Sequence, residues 1–341
     1  MGIQGLKKLI SNVAPHAINQ CKIGDYTGYK VAIDISTSLH QFLYASSAQA
    51  TTVSHLNEGS KAHLNGTFYR TIRMVHNGIL PIYVFDGKPP DMKFKEIQKR
   101  AQRRAELEAT LKKAVEDGNE QDVIKLNSRL VKVDDYHIND CKALLDLMGI
   151  PYVQAPCEAE AQCANLVKAG KADAVGAEDM DTLAFGCKLL LRDFVTSESR
   201  KIPVKAFQLQ TILDAFQMNE DQFIDLCILL GCDYCETIYG IGPKRGIKLV
   251  QEHKSIERIL EVIDKKKYIV PENWAYQGAR SQFKNPDVVD VDDVRLHQAN
   301  PDFDGLLSFM VNENEFSETS ILSALEKLHT TSHHTMKHNV M

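Results

Sequence analysis

Apolar positions in the first 20 residues recur at helical spacing, with Ile3, Leu6, Ile10 and Val13 on one face, and Pro15 closes the segment. A different pattern then begins. Residues 30–34 (Lys-Val-Ala-Ile-Asp) form a short apolar run that ends in an acid, and residues 79–87 (Ile-Leu-Pro-Ile-Tyr-Val-Phe-Asp-Gly) form another. Residues 150–155, 173–179 and 188–192 supply three more, with amphipathic helical stretches between them. Short buried strands alternating with helices predict an α/β fold on a largely parallel sheet. Ligands of such sheets gather at the carboxyl ends of the strands, where Asp34, Asp86 and Asp179 fall.

Two intervals depart from this alternation. Residues 88–135 open with Lys-Pro-Pro and continue as a highly charged helical run with Gly118 inside it, too polar to be core. Residues 219–256 read as helix, glycine-rich turn, helix. Beyond 257 the pattern predicts a Lys-rich loop, a loop with Pro271 and a last helix near 318–328. From 329 on, His329, His333, His334 and His338 match no metal cage and read as a disordered, solvated tail.

Composition adds limits. At 341 residues and 44% hydrophobic, the chain has material for a sizeable core. Its net charge of -5 argues mildly against a general nucleic-acid binder, although local charge outweighs the sum. No signal peptide, myristoylation site or span of ~20 apolar residues is visible, so no membrane role is expected. Eight scattered cysteines then read as reduced thiols. Cys232 and Cys235 have C-x-x-C spacing, but no second pair completes a four-ligand zinc site, and free cysteines are expected.

Acids arrive from separated segments: Asp34, Asp86, Glu158 with Glu160, Glu178 with Asp179 and Asp181, and Asp233 after a Gly-Cys pair. One acid at a strand end is ordinarily a helix cap. Many at one edge repel each other and call for a cation. An all-oxygen donor set points to Mg²⁺ or Mn²⁺ rather than zinc. So many acids suit two ions ~3.5–4 Å apart acting on a phosphodiester. Within residues 93–104, six bases (Lys93, Lys95, Lys99, Arg100, Arg103, Arg104) face a single acid, Glu96. Beside an acidic metal site, such a helix offers phosphates an entry path. Gly240-Ile-Gly242-Pro-Lys244-Arg245 is a tight turn before a helix N-terminus, able to hold a phosphate through backbone N–H groups.

Residues 1–6 (Met-Gly-Ile-Gln-Gly-Leu), 84–90 (Val-Phe-Asp-Gly-Lys-Pro-Pro), 158–160, 178–181, 231–234 and 240–245 resemble eukaryotic flap endonucleases of the structure-specific 5′-nuclease superfamily, over residues 1 to about 325. The resemblance implies a nuclease-type, PIN-like fold with a mixed, mainly parallel sheet. Residues 88–135 would form a helical arch, and 231–250 a helix-two-turn-helix unit gripping duplex DNA. The implied segments are an N-terminal nuclease region (1–104), the rest of the arch (105–135), an internal nuclease region (136–256), a C-terminal region (257–328) and the tail (329–341). The activity would be cutting of 5′ flaps on branched DNA, with 5′–3′ exonuclease action, in replication and repair.

The resemblance also implies residue roles. Asp34, Asp86, Glu158 and Glu160 would surround one Mg²⁺, and Asp179, Asp181 and Asp233 the other. Lys93 and Arg100 would act on the scissile phosphate. Gly2, Arg70, Gly231, Gly240, Gly242, Lys244 and Arg245 would contact DNA, as would Glu158 and Asp233, while Arg104, Lys125, Arg129 and Lys132 would steer it. A structural K⁺ would sit near Thr237, Ile238 and Ile241. A monomer, a sliding-clamp partner and a nuclear location are implied as well, with mitochondrial or nucleolar fractions open.

Departures fall at His40, Ser47, Asn314 and the loop 54–61, where Glu58 stands alone among acids and Lys61 adds a base. These weaken the expected selectivity for a one-nucleotide 3′ flap. The chain ends near where a clamp-binding peptide is usual, so little clamp stimulation is expected; residues 210–216 match such a peptide only partly and read as an amphipathic helix. Two rivals stay open: a sister exonuclease or junction resolvase, and a DNA-structure-binding protein without catalysis. The presence of all seven acids argues against the second.

Overall fold

The computed structural model describes residues 2–49, 61–194, 202–294 and 296–338, the last nine of these as backbone. Its centre is a seven-stranded sheet: β1 (Ile18–Cys21), β2 (Lys30–Asp34), β3 (Leu80–Phe85), β4 (Tyr152–Gln154), β5 (Ala174–Gly176), β6 (Leu189–Arg192) and β7 (Val204–Gln208), in the order β1-β7-β6-β5-β2-β3-β4. The run from β6 to β4 is parallel, and β7 and β1 close one edge antiparallel. Period-two alternation sends Ala32, Ile82, Val84 and Val153 into one core, and Val31, Ile33, Tyr83 and Phe85 into the other. Both sheet faces are therefore buried, as parallel strands require.

Helices cover the two faces. The first core takes α1 (Leu6–Val13), α7 (Ala159–Lys168), α8 (Asp181–Ala184), α9 (Leu209–Phe216), α10 (Glu220–Leu230), α11 (Pro243–His253), α12 (Ile256–Val262) and α13 (Tyr276–Lys284). The second takes α2 (Ile35–Ala48), α3 (Ala62–His76), α6 (Asp135–Leu147), α14 (Phe303–Leu307) and α15 (Glu318–His338). The remaining pair, α4 (Phe94–Glu116) and α5 (Glu120–Leu130), is a hairpin turned by Gly118 at φ +71°. It has a small core of its own: Ala114, Val123 and Leu126, backed by Leu107 and Leu111. The pair α4–α5 rests on the body where α5 packs against α2.

Three sequence expectations need correction. The first helix is shorter than the 20-residue reading: Leu9, not Val13, joins Leu6 and Ile10 inside, while Val13 is 41% exposed. Strands β1 and β7 escaped the apolar-run search because the antiparallel edge tolerates polar residues such as Asn19, Gln20 and Lys205. The last helix does not stop at 328. No Gly or Pro interrupts residues 318–338, its backbone continues to His338, and the His329 ring meets Phe303 at 5.6 Å. The histidines at 333, 334 and 338 have side chains outside the described residues.

Candidate active site

Three helix N-termini open on one edge of the sheet, and the predicted acids collect there. Asp34 ends β2 and caps α2: Oδ1 accepts from the Ser36 amide and Oδ2 from Thr37 Oγ1, each at 2.9 Å. Asp86 follows β3, and its Oδ1 accepts from the Ala159 amide at 2.7 Å, at the start of α7. Glu158 is the N-cap residue of α7 and Glu160 lies in its first turn. Asp179 Oδ1 accepts from the Asp181 amide at 3.0 Å, at the start of α8. The partial positive charge of a helix N-terminus favours carboxylates at each of these places. For Asp34 the cap reading holds, and the same placement leaves its carboxyl at the edge where the other acids collect.

The N-terminal segment completes the pool. Asp181 Oδ1 accepts from the Ile3 amide at 2.6 Å, and the Gln4 amide donates to Gly231 O at 3.1 Å, next to Asp233. A Cβ on Gly2 would lie 1.8 Å from Asp179 Oδ1 and 2.4 Å from Asp181 Oδ1, and φ there is +85°. Only glycine lets the backbone approach so closely in that conformation.

The acids sense one another. Burial, then the charges of Asp86 and Asp179, push the Asp34 carboxyl up to about 7 against the pull of its hydrogen bonds. Burial and then Asp34, Asp86 and Asp179 raise Glu160 well above the carboxylate range. Burial, then Asp179 and Asp233, do the same to Asp181. The cations that oppose them are the two predicted ones. Lys93 Nζ pairs with Glu158 Oε1 and, at 3.2 Å, with Asp233 Oδ2. Arg100 Nη2 donates to the same Asp233 oxygen at 2.7 Å. Burial works against the Lys93 charge, but Glu158 and Asp233 more than offset it and raise its pKa.

Among the described residues, no three His, Cys, Asp or Glu side chains close on one point as a ready-made metal cage. The oxygens that would ligate an ion are instead taken by Lys93, Arg100 and the amides of Ser36, Ala159, Asp181 and Ile3. A pool of oxygen donors crowded enough to retain protons near neutral pH fits a hard divalent cation.

Two features of this edge were not read from sequence. Tyr234 donates from its hydroxyl to Glu158 Oε2, with its ring against Phe185 and Phe283. It stands in the 231–234 motif, where Gly231 and Asp233 had stated roles and Tyr234 had none. Glu178 belongs elsewhere: its carboxylate pairs with Arg192 at 3.2 Å and accepts from the Asp193 amide at 2.7 Å.

The remaining candidate DNA contacts lie on α3, on the α4–α5 hairpin and at the α10–α11 junction. Arg70 on α3 stacks over Phe42 at 4.3 Å, Nη1 is buried without a partner, and burial pulls its pKa down to about 10. Arg104 is engaged within the hairpin: Nε pairs with Glu108 at 3.0 Å, and Nη2 donates to Leu130 O at 2.7 Å, tying α4 to α5. Lys125 and Arg129 are exposed on α5, and Lys132 is exposed beyond it, 3.0 Å from Asp134. Gly231, Gly240, Gly242, Lys244 and Arg245 form the α10–α11 junction, with Arg245 5.0 Å over the Tyr268 ring. There the Ile241 amide donates to Ile238 O at 3.2 Å, near the expected K⁺ position.

Among the departures, His40 is exposed on α2, and Ser47 is half-buried there. Lys61 Nζ donates to Asn314 O at 2.7 Å and pairs with Glu315 at 3.2 Å, so its charge is already matched. Glu58 and the rest of its loop up to residue 60 lie outside the described residues. Ile212, Leu213 and Phe216 are buried in α9 while Gln210 and Asp214 are exposed, so the apolar face of residues 210–216 is core, as the amphipathic reading has it.

Models of the XPG N-terminal domain and the XPG I-region match residues 1–107 and 149–233. Flap endonuclease 1 of Aedes aegypti is 51% identical over 328 residues, 96% of this chain and 86% of that one. The chain belongs to the flap endonuclease family. Members are structure-specific nucleases, hydrolases of phosphodiesters. Flap endonuclease-1 from Methanococcus jannaschii is similar in structure, with TM-score 0.69, 29% identity, and coverage of 92% of this chain and 96% of that one. The catalytic core of Rad2 in complex with DNA substrate has TM-score 0.74 at 24% identity, covering 96% of this chain and all of that one, a likeness of fold.

Proposed function

We propose that the chain cuts branched DNA carrying a 5′ flap, hydrolysing a phosphodiester at the junction with divalent metal ions, and removes nucleotides from 5′ ends at the same site. The observation that supports this most is a pool of six carboxylates that repel their neighbours (Asp34, Asp86, Glu160, Asp179, Asp181 and Asp233), opposed with Glu158 by Lys93 and Arg100. Asp34, Asp86, Glu158 and Glu160 would hold one Mg²⁺, and Asp179, Asp181 and Asp233 a second, with Mn²⁺ as substitute. The ions would supply Lewis acidity to the attacking water and the leaving oxygen.

The work of the chain's own residues is electrostatic. Lys93 and Arg100 neutralise Glu158 and Asp233 at rest. Released from them, both would stabilise charge that grows on the phosphoryl oxygens in the transition state. Tyr234 orients Glu158 through its hydroxyl. The buried, unpartnered Nη1 of Arg70 fits a DNA phosphate, as do the backbone N–H groups of Gly2, Gly240 and Gly242 and the charges of Lys244 and Arg245, whereas the Gly231 amide is already given to Cys227 O. Lys125, Arg129 and Lys132 would steer the strand, with Arg104 holding their hairpin together. A K⁺ at the α10–α11 turn, recruitment by a sliding clamp and a nuclear site of action are proposed from family membership alone.

The test is cleavage of a labelled 5′-flap duplex with Mg²⁺ and with EDTA. One incision near the junction, lost in EDTA, is expected. Undiminished cutting in EDTA would overturn the metal reading, and cutting of four-way junctions in preference to flaps would favour a resolvase.

A further inference from the structure

Cys232 and Cys235 pair across an isolated antiparallel bridge, with Asp233 and Tyr234 as the two-residue turn between them. Their sulfurs are 3.9 Å apart. Paired residues of an antiparallel bridge have Cα atoms about 4.5–5.5 Å apart, inside the range of about 4.4–6.8 Å that a disulfide spans. Closing the sulfurs to a bond of about 2.05 Å therefore needs side-chain rotation more than movement of the body. Both thiols are half-buried rather than sealed, and both line a cleft of about 370 Å³ shared with Gln4, Glu96, Lys99 and Glu236. Lys99 gives that cleft a cation for an anionic reagent. A soft metal is the weaker fit, because the pair offers two sulfurs where a structural site takes four ligands.

We propose that Cys232 and Cys235 are a redox-modification site, oxidised to an intramolecular disulfide by a small anionic disulfide such as glutathione disulfide. One cysteine thiolate attacks a sulfur of the reagent, forming a protein–glutathione mixed disulfide and expelling one glutathione thiolate. The second cysteine attacks the protein sulfur of that bond and expels the second glutathione. Two electrons pass from the dithiol to the reagent, and two thiols leave for the two consumed.

The turn between the sulfurs makes the bond matter. Asp233 holds Arg100 and Lys93, and Tyr234 holds Glu158. Cross-linking the ends of this turn strains both contacts at once, and a displacement near 1 Å at a reacting centre can cost about 10²-fold in rate. The consequence for cutting rests on the proposed function, but the bond itself does not.

The experiment equilibrates the full chain in glutathione buffers stepped from reduced to oxidised, quenches it, and maps cysteines by peptide mass spectrometry. Flap cleavage is assayed in parallel. A Cys232–Cys235 bond should form in oxidised buffer, with cleavage at least about tenfold slower and recovery in dithiothreitol. Cys232→Ser, and separately Cys235→Ser, should cut like the reduced parent and lose the redox response. Glutathione adducts without the internal bond, a bond that leaves cleavage unchanged, or serine variants that respond to oxidised buffer as strongly as the parent would overturn the proposal. A reduced parent that forms the bond but never cuts flaps would count against the proposed function instead.

Discussion

Asp34 and Asp181 sit on strand ends and helix starts fixed to the main core, whereas Lys93 and Arg100 belong to a hairpin whose own core is three buried side chains. Of the 23 residues of α4, Ala114 alone is buried. Carboxylates proposed to share ions would gain from rigidity, since their repulsion would otherwise spread them apart. Bases proposed to meet a strand and then let it go would gain from a mounting with little core of its own. The candidate site thus joins a region built on the main core to one built on a small core.

The largest expected effect comes from breaking the rigid half. Asp181→Ala should lower flap cleavage by about 10²–10³-fold with flap binding, read by anisotropy, nearly unchanged. Parallel loss of binding and cutting, at equal stability, would remove Asp181 from the metal role. In the hairpin half, Lys93→Ala and Arg100→Ala should each lower kcat by about 10²-fold and change KM little, as expected of groups that act on transition-state charge. A change confined to KM would make them binding residues.

Stability against pH sharpens the contrast. The folded Asp34 carboxyl keeps its proton to about 7, while an unfolded aspartate loses it near 4. The folded state therefore binds more protons across that window, and metal-free protein should lose stability as pH rises from about 4 to 7. Asp34→Asn should remove that part of the slope. At pH 8 without metal the variant should melt higher than the parent by roughly 3–8 °C, and Mg²⁺ should raise the parent more than the variant. A parent whose stability relative to the variant rises with pH would reverse the assignment. The smallest global effect belongs to Leu126→Ala. It should abolish hydrogen-exchange protection across residues 94–130 while the main melting temperature moves by less than about 2 °C.

Sequence patterns made the sheet-edge half far more legible than the hairpin. A short apolar run ending in an acid marks both a buried strand and its exit, so Asp34 and Asp86 declared element and site together. The antiparallel strands β1 and β7 carry no such run, because Asn19 and Gln20 in one and Lys205 in the other interrupt it. In the hairpin, charge could be counted but not allocated. Nothing in the spacing says that Arg104 spends its guanidinium on Leu130 O, that Lys61 answers Glu315, or that Glu178 turns to Arg192. Such pairings depend on which helices become neighbours, information that tertiary packing supplies. Tyr234 was hidden differently: a buried phenol among aromatic rings reads as core until its hydroxyl partner is known.

The bond from the Ile3 amide to Asp181, and that from Gln4 to Gly231, also set a schedule for synthesis. Ribosomes add about 5–20 residues per second, so the first residues wait roughly 10–40 s for these partners to emerge. A nascent fragment that stops before Gly231 has neither the seventh acid nor the second anchor for the start of the chain. Cutting competence arrives late in translation, after most of the sheet has been made.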